Sequence, residues 1–218
     1  MPVRFERHGG PPDLVAAFKY FVCVELGGRA LDDNAADEST KGKFPDFAAF
    51  GDRLLIEMKH FESDQSKRAQ AVFEQKIKPE EKPIFFGTRD AAPIINNASN
   101  KDEILNSLFN KLARTIESQL RKANQQFLDY RSRVAIKNDV SICVFLNSLI
   151  TEISPETFLY CLNRILRNRI TNNLNLFVGI DAVLYISEKH FIPLVNGRPT
   201  FPVIVFGLES LKTFPWKK

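Results

Sequence analysis

The amino-acid sequence predicts one α/β domain of 218 residues, in which helices cover a mixed β-sheet. Three observations lead to this fold class. The length suits one core and is short for two. Hydrophobic residues make up 44% and charged residues 26%, as in average globular proteins. In the second half of the chain, helical and strand-like segments alternate, which is typical of a sheet with helices on its faces.

The first half of the chain begins with a predicted helix over residues 11–27. Pro11 and Pro12 stand at its start, and Asp13 can accept hydrogen bonds from its first turn. Gly27-Gly28 ends it. The segments expected after it are a polar loop over 29–43, a β-hairpin over 44–59, a charged helical stretch to about residue 78 and a possible short strand over 83–87.

The clearest element of the second half is a helix over 102–133, where apolar residues recur at three- and four-residue steps. A further helix is predicted over 155–171, because Pro155 suits its first turn and Ser154 can cap it. The apolar positions of the long helix are Leu105, Leu108, Leu112, Ile116, Leu120, Ala123 and Phe127. The expected strands are 139–147, 176–188 and 201–207.

Composition and cysteine spacing exclude several classes of protein. Cys23, Cys143 and Cys161 are widely spaced without a CxxC pair, so we expect reduced core residues and neither a zinc ribbon nor a redox dithiol. No apolar stretch approaches a membrane span and the first residues lack a signal-type run, so the expected location is cytoplasmic. The net charge of +4 is compatible with an anionic partner without demanding one.

The predicted hairpin brings three charged residues together. Gly51-Asp52 suits a two-residue loop with glycine first. That loop places Asp46 opposite Glu57, with Cβ atoms about 5 Å apart. Glu57 and Lys59 are two residues apart, so they share one face of the strand. Two facing carboxylates destabilise a sheet unless a cation accompanies them.

A divalent metal is one such cation. Sites with few protein carboxylates suit Mg²⁺ or Mn²⁺, which keep waters and take other ligands from a phosphate. Such a metal polarises the phosphate and lowers the pKa of a bound water, which Lys59 can orient. The alternative is an ordinary surface ion pair of Lys59 with either acid. The apolar run Leu54-Leu55-Ile56 indicates a central strand, and charges there usually have a function.

These residues resemble a known signature. Pro45-Asp46, ten intervening residues, and Glu57-Met58-Lys59 are similar to the PD-(D/E)xK nuclease superfamily, which includes restriction endonucleases, archaeal Holliday-junction resolvases and many repair nucleases. The order of helix, loop, hairpin, long helix and strand is also similar, over about residues 11–150. The remainder, about 151–218, looks like an elaboration of a single domain spanning 1–218.

The resemblance implies a restriction-endonuclease-like fold and a Mg²⁺- or Mn²⁺-dependent endonuclease. In it, Asp46 and Glu57 bind the metal and Lys59 is the catalytic lysine. Many members add an acid from the first helix, for which Glu25 and Asp13 are both candidates. The implied partner is nucleic acid, DNA in the first place, cut by in-line attack of water to leave a 5′-phosphate. A homodimer stays open, and no membrane partner is expected.

Basic residues on two helices allow nucleic-acid contact, although a solvated helix face explains them as well. Gln119, near the apolar side of the long helix, is a further candidate for the site. Two other hypotheses stay open: an inactive nuclease-fold module that binds nucleic acid or a protein, and an unrelated structural protein. The basic residues are Lys111, Arg114, Arg121 and Lys122 on the long helix, and Arg164, Arg167 and Arg169 on the next.

Overall fold

The computed structural model describes residues 13–31, 44–61, 76, 97–134, 140–148, 150, 153–172, 177–190, 192–193, 199–200 and 203–207. The helices are α1 (Leu14–Tyr20), which continues as a π-helical segment (Phe21–Glu25), α2 (Lys101–Val134) and α3 (Pro155–Thr171). The strands are β1 (Arg29–Ala30), β2 (Phe47–Ala49), β3 (Leu54–His60), β4 (Val140–Asn147), β5 (Ala182–Ser187), β6 (Ile192–Pro193), β7 (Pro199–Thr200) and β8 (Val203–Gly207).

Six strands form one mixed sheet in the order β1-β2-β3-β4-β5-β8, and β6 pairs with β7 separately. The β3–β4 and β4–β5 pairs are parallel, whereas the other three pairs are antiparallel. The predicted fold class is confirmed: helices flank a mixed sheet. As its apolar sequence predicts, β3 lies inside the sheet, between β2 and β4.

The two faces of the sheet carry separate hydrophobic clusters. On one face, Leu55 of β3 and Phe145 of β4 pack against α2 and α3. On the other, Ile56 of β3 packs with Phe18 of α1. We call these the α2–α3 face and the α1 face. Because side chains alternate along a strand, Glu57 shares the α2–α3 face with Leu55.

Both long helices form where the sequence predicts them. In α2, the expected positions from Ile116 to Phe127 are buried, whereas near its start Ile104 is buried instead of Leu105. In α3, the backbone N–H of Thr157 donates to Ser154 Oγ over 3.1 Å. This contact satisfies one of the free donors of the first turn, and Pro155 follows the cap as predicted.

The first predicted loop needs a correction. Arg29 and Ala30 were expected in a loop over 29–43, but they pair with Ala48 and Phe47 as β1. A strand of two residues is too short to show an alternating pattern, so pairing with β2 determines it.

The strand expected over 176–188 is also shorter than predicted, since β5 begins at Ala182. Before it, the Ile180 N–H donates to the Phe177 carbonyl over 2.8 Å, which closes a turn. Gly179 donates its N–H to Asn124 Oδ1 of α2 over 2.8 Å. Phe177 and Ile180 therefore belong to a turn that is buried in the α2–α3 cluster and not to the strand.

The first helix forms near its predicted place, since the helix expected over 11–27 corresponds to α1 and its π-helical continuation. The short β6–β7 ribbon was not predicted. The charged stretch to about 78, apart from Lys76, and the strand over 83–87 lie outside the described residues.

The cysteines are free thiols, and Cys143 and Cys161 are buried as expected, whereas Cys23 is half-buried. Burial raises the pKa of both buried thiols, which keeps them neutral. Within the described ranges, no helix combines the length and the apolar character that crossing a membrane requires.

Candidate active site

The β2–β3 hairpin brings the predicted charged residues together. Its register pairs Phe47 with Ile56, so the next position outward sets Asp46 opposite Glu57. The sequence predicts the same register. The three charged residues of the site therefore lie together. Asp46 directly precedes β2, and Glu57 and Lys59 lie on β3, an inner strand of the sheet.

The turn that sets this register is longer than predicted. The ladder stops at Ala49, and a four-residue turn from Phe50 to Arg53 replaces the expected two-residue loop. Phe50, Gly51 and Asp52 all have positive φ, at 53°, 64° and 65°. The register is preserved because the turn lengthens by one residue on each strand.

Contacts outside the hairpin fix the turn. Arg29 of β1 donates to Asp52 Oδ2 over 2.7 Å and to Oδ1 over 3.2 Å. The hydroxyl of Tyr130, on α2, lies 3.4 Å from both partners of this ion pair. The tip of the hairpin is therefore tied to the edge strand and to α2.

The two carboxylates of the site are joined through the backbone. The Asp46 N–H donates to Glu57 Oε2 over 3.1 Å, and the Met58 N–H donates to Asp46 Oδ2 over 2.6 Å. Lys59 Nζ donates to Glu57 Oε1. These bonds set the direction of each carboxylate, so the arrangement is built by the hairpin itself.

Glu57 is buried where its charge is unfavourable. Its side chain is 2% exposed, against 18% for Lys59. Burial, and then the negative charge of Asp46, raise the pKa of Glu57 from 4.5 to about 7, although Lys59 opposes the shift. A further cation beside the two acids would favour the ionised form.

Gln126 of α2 is a site residue that the sequence analysis missed. Its Nε2 donates to the Phe44 carbonyl over 2.9 Å, and its amide lies near enough to Glu57 to lower the pKa of that carboxyl slightly. Gln119, the residue expected here, lies seven positions earlier and is half-buried. Seven residues are nearly two helical turns, so both glutamines lie on one side of α2. The available signal was the place of Gln126 between the apolar positions Ala123 and Phe127.

The acids expected from the first helix do not join the site. The Asp13 carboxylate caps α1 by accepting from the backbone N–H of Val15 over 3.1 Å, and it is exposed. Glu25 is also exposed, and α1 packs on the face opposite Glu57. Within the described part of the chain, no group of three or more His, Cys, Asp or Glu residues is arranged to hold a metal.

The donor set fits Mg²⁺ or Mn²⁺ better than a metal that needs a full protein cage. Mg²⁺ is often held by one or two carboxylates, with water and phosphate oxygens completing its shell. Asp46 and Glu57 supply two such carboxylates, and each carboxylate oxygen can accept more than one contact. The pKa of Glu57 is raised first by burial and then by the charge of Asp46, and a divalent cation beside the two acids would oppose both by favouring the ionised form.

The predicted basic residues divide into three groups. Glu117 Oε1 accepts from Arg121 within α2 over 2.7 Å and from Arg169 over 3.1 Å, so Arg169 links α3 to α2. Lys111 and Lys122 are exposed on α2. The other three arginines line two cavities: Arg114 and Arg164 line one between the two helices, and Arg164 and Arg167 line one beside α3.

A scan against protein-family models found no match, and neither did searches of curated proteins and of solved structures. The function of the chain must therefore be inferred from the chemistry of the hairpin site and from the surfaces around it.

Proposed function

We propose that this protein is a metal-dependent nuclease of the PD-(D/E)xK type, which hydrolyses phosphodiester bonds of DNA. One observation carries the proposal: Asp46 lies opposite Glu57 on the β2–β3 hairpin, with Lys59 bonded to Glu57. An acidic pair and an amine at a buried strand suit phosphate chemistry, because phosphoryl transfer needs positioned charge more than a protein nucleophile.

Asp46 and Glu57 are the residues that would hold Mg²⁺ or Mn²⁺. When bound there, the metal would neutralise charge on the phosphate and make water more acidic. The carboxylates are held for this role by the Met58 N–H, the Asp46 N–H and Gln126. Fixed ligands need little reorganisation when the metal and phosphate enter.

Lys59 is placed to contact the phosphate. Its ammonium bonds Glu57 Oε1, and its side chain is the more exposed of the two. It can therefore donate from the edge of the site to a phosphate oxygen or to the attacking water. Its positive charge offsets the negative charge that grows on the phosphoryl oxygens as the P–O bond breaks.

The test is a cleavage assay on plasmid, linear and single-stranded DNA in Mg²⁺, Mn²⁺ or EDTA. We expect cleavage by the wild-type protein with either metal and none in EDTA. Asp46→Asn, Glu57→Gln and Lys59→Met should each lower the rate at least about 100-fold, as loss of a charge-stabilising group does elsewhere.

The matched control is Asp52→Asn, which removes a carboxylate from the same hairpin outside the site. Purified in the same way, it should keep most of the activity. Cleavage that survives all three site substitutions would come from a contaminant or another site, and it would overturn the proposal.

The second candidate function is a module that binds nucleic acid without cutting it. The arginine-lined cavities between α2 and α3 favour it, because they lie apart from the hairpin site. Salt-sensitive DNA binding with no cleavage in either metal would support this function in place of the nuclease.

A further inference from the structure

Two adjoining cavities have volumes of about 240 and 330 Å³: the smaller lies between α2 and α3, and the described lining of the larger belongs to α3. Arg164 and Asn168 line both of them, so the cavities form one continuous groove, which we call the α2–α3 groove. Its residues Arg114, Arg167 and Asn168 are exposed, so a ligand in solvent can reach it.

The charge of this groove is strongly positive. Glu117 is the only acid among the described residues that line the two cavities. Its Oε1 already accepts from Arg121 and Arg169, so the fold neutralises it with residues outside the lining. Three guanidinium groups remain in the lining, and a surface lined by charges of one sign favours an anionic ligand. They belong to Arg114, Arg164 and Arg167.

The other polar groups of the groove suit a phosphate. Asn110 lies one helical turn before Arg114 on α2, and Asn163 and Asn168 lie beside the arginines of α3. Guanidinium groups bind phosphate oxygens in a forked geometry, and amide groups add neutral donors. Arginine and asparagine together are typical contacts of a sugar–phosphate backbone.

The groove is separate from the hairpin site. Arg114 precedes Gln126 by twelve residues on the same helix. This places it about 18 Å along the helix axis and about a third of a turn around it. An anion at the groove therefore cannot be the phosphate that lies beside Glu57. A distance of about 18 Å matches roughly five base steps of a duplex.

We propose that the α2–α3 groove binds the backbone of the DNA substrate several nucleotides away from the phosphate that is cut. The proposal rests on the proposed nuclease function, whose site it would supply with a bound and oriented substrate. Arg164 and Arg167 contact the phosphates from α3, and Arg114 contacts them from α2. Arg121 and Arg169 pair with Glu117, and of these two Arg169 joins α3 to α2, so the other three arginines are the ones that contact the phosphates.

The test measures binding without turnover. A fluorescein-labelled 20-base-pair duplex is titrated with full-length protein in EDTA, by anisotropy, over a range of salt concentrations. We expect Arg164→Gln/Arg167→Gln to weaken binding at least about ten-fold at moderate salt. The double variant should also flatten the salt dependence by about 1.8 log units per log unit, at about 0.9 for each phosphate that the protein no longer neutralises.

The matched control is Lys19→Ala/Lys189→Ala, which removes the same number of charges from exposed positions outside the groove. It should change the affinity less than about three-fold, because distant surface charges are screened by salt. Arg114→Gln is a second groove variant, at an exposed position on the other helix, in case the α3 double variant folds poorly. It should flatten the salt dependence by about 0.9.

The outcomes separate this proposal from the nuclease function. The groove proposal is wrong if both groove variants bind the duplex with the affinity of the wild-type protein. It is also wrong if the wild-type protein does not bind DNA at low salt, even if it cuts DNA. Weakened binding by the groove variants supports the groove proposal even if cleavage fails.

Discussion

Glu57 is a carboxylic acid placed where its charge is costly. Its folded-state pKa of about 7 lies above the ordinary 4.5, so the folded chain holds the proton more tightly than the unfolded chain does. The stabilising contribution of that proton is complete below about pH 4.5 and is lost as the pH rises through 7. At about 1.4 kcal/mol per pKa unit, the shift corresponds to roughly 3 kcal/mol.

We predict that Glu57→Gln removes this pH dependence in metal-free buffer. The free energy of unfolding of the variant relative to wild type should shift in favour of the variant by up to about 3 kcal/mol between pH 5 and pH 8. Urea denaturation at several pH values measures it. Stability curves that stay parallel over this range would contradict the raised pKa of Glu57.

Gln126 joins α2 to the segment that leads into β2, since its Nε2 donates to the Phe44 carbonyl, and its amide lies near Glu57 of β3. We predict that Gln126→Ala lowers the free energy of unfolding by about 1 kcal/mol, because the half-buried Phe44 carbonyl loses the donor that joins it to α2. It should also raise the pKa of Glu57 further, because the Gln126 amide favours the ionised form.

The matched control is the neighbouring Gln125→Ala. Gln125 is exposed, and its side chain donates within the helix to Asp129 over 2.8 Å. Its loss should change stability by less than about 0.5 kcal/mol. Equal effects of the two substitutions in denaturant titrations would show that Gln126 does not hold the site.

At the scale of the element, the β2–β3 hairpin determines the site, because its register decides which side chains face each other. A slip of one residue would turn Glu57 and Lys59 to the α1 face. The turn from Phe50 to Arg53 prevents this slip, and it contains three residues with positive φ. Gly51 tolerates a positive φ well, whereas Phe50 does not.

We predict opposite effects for two substitutions in this turn. Gly51→Ala should destabilise the protein by about 1 kcal/mol, because a Cβ disfavours the left-handed region, although nothing lies within 4 Å of the added atom. Phe50→Asn should stabilise it by a smaller amount, because asparagine tolerates φ of 53° better than phenylalanine does.

Phe50 is 59% exposed, so its replacement removes little buried apolar surface. Thermal unfolding gives the shift in Tm of each variant relative to the wild-type protein. Because both substitutions lie in the same turn, each variant is the control for the other. Shifts of the same sign would show that backbone conformation does not govern the turn.

At the scale of the whole molecule, the features that could be predicted from the sequence are those that depend on residues close together in the chain. The register of the hairpin follows from Gly51-Asp52 and alternating apolar residues, so the approach of Asp46 to Glu57 could be predicted. The helical stripe from Ile116 to Phe127 and the Ser154 cap are local signals of the same kind.

What the sequence analysis missed depends on long-range packing. Gln126 meets a carbonyl 82 residues away in the chain, and no spacing rule selects it over Gln119. Nothing local tells on which face of the sheet α1 packs, so Asp13 and Glu25 could not be excluded beforehand. Strand β1 has two residues, and it is defined by its pairing with β2, which is distant in the sequence.

The hairpin site should couple metal binding to the stability of the whole chain. A ligand that binds only the folded state stabilises it by about 2.7 kcal/mol at 100 times its Kd. We therefore predict that Mg²⁺ or Mn²⁺ at pH 8 raises the Tm of the wild-type protein over its value in EDTA. The rise should be smaller at pH 5.5, where the proton on Glu57 competes with the metal.

Asp46→Asn and Glu57→Gln should abolish the rise in Tm, because each removes one of the two charged ligands. Asp52→Asn, on the same hairpin but paired with Arg29, should keep it. Differential scanning fluorimetry of the four proteins in EDTA and in each metal makes the comparison without any substrate. An equal rise in all four would mean that the metal binds elsewhere, and no rise in the wild type would contradict a metal site at Asp46 and Glu57.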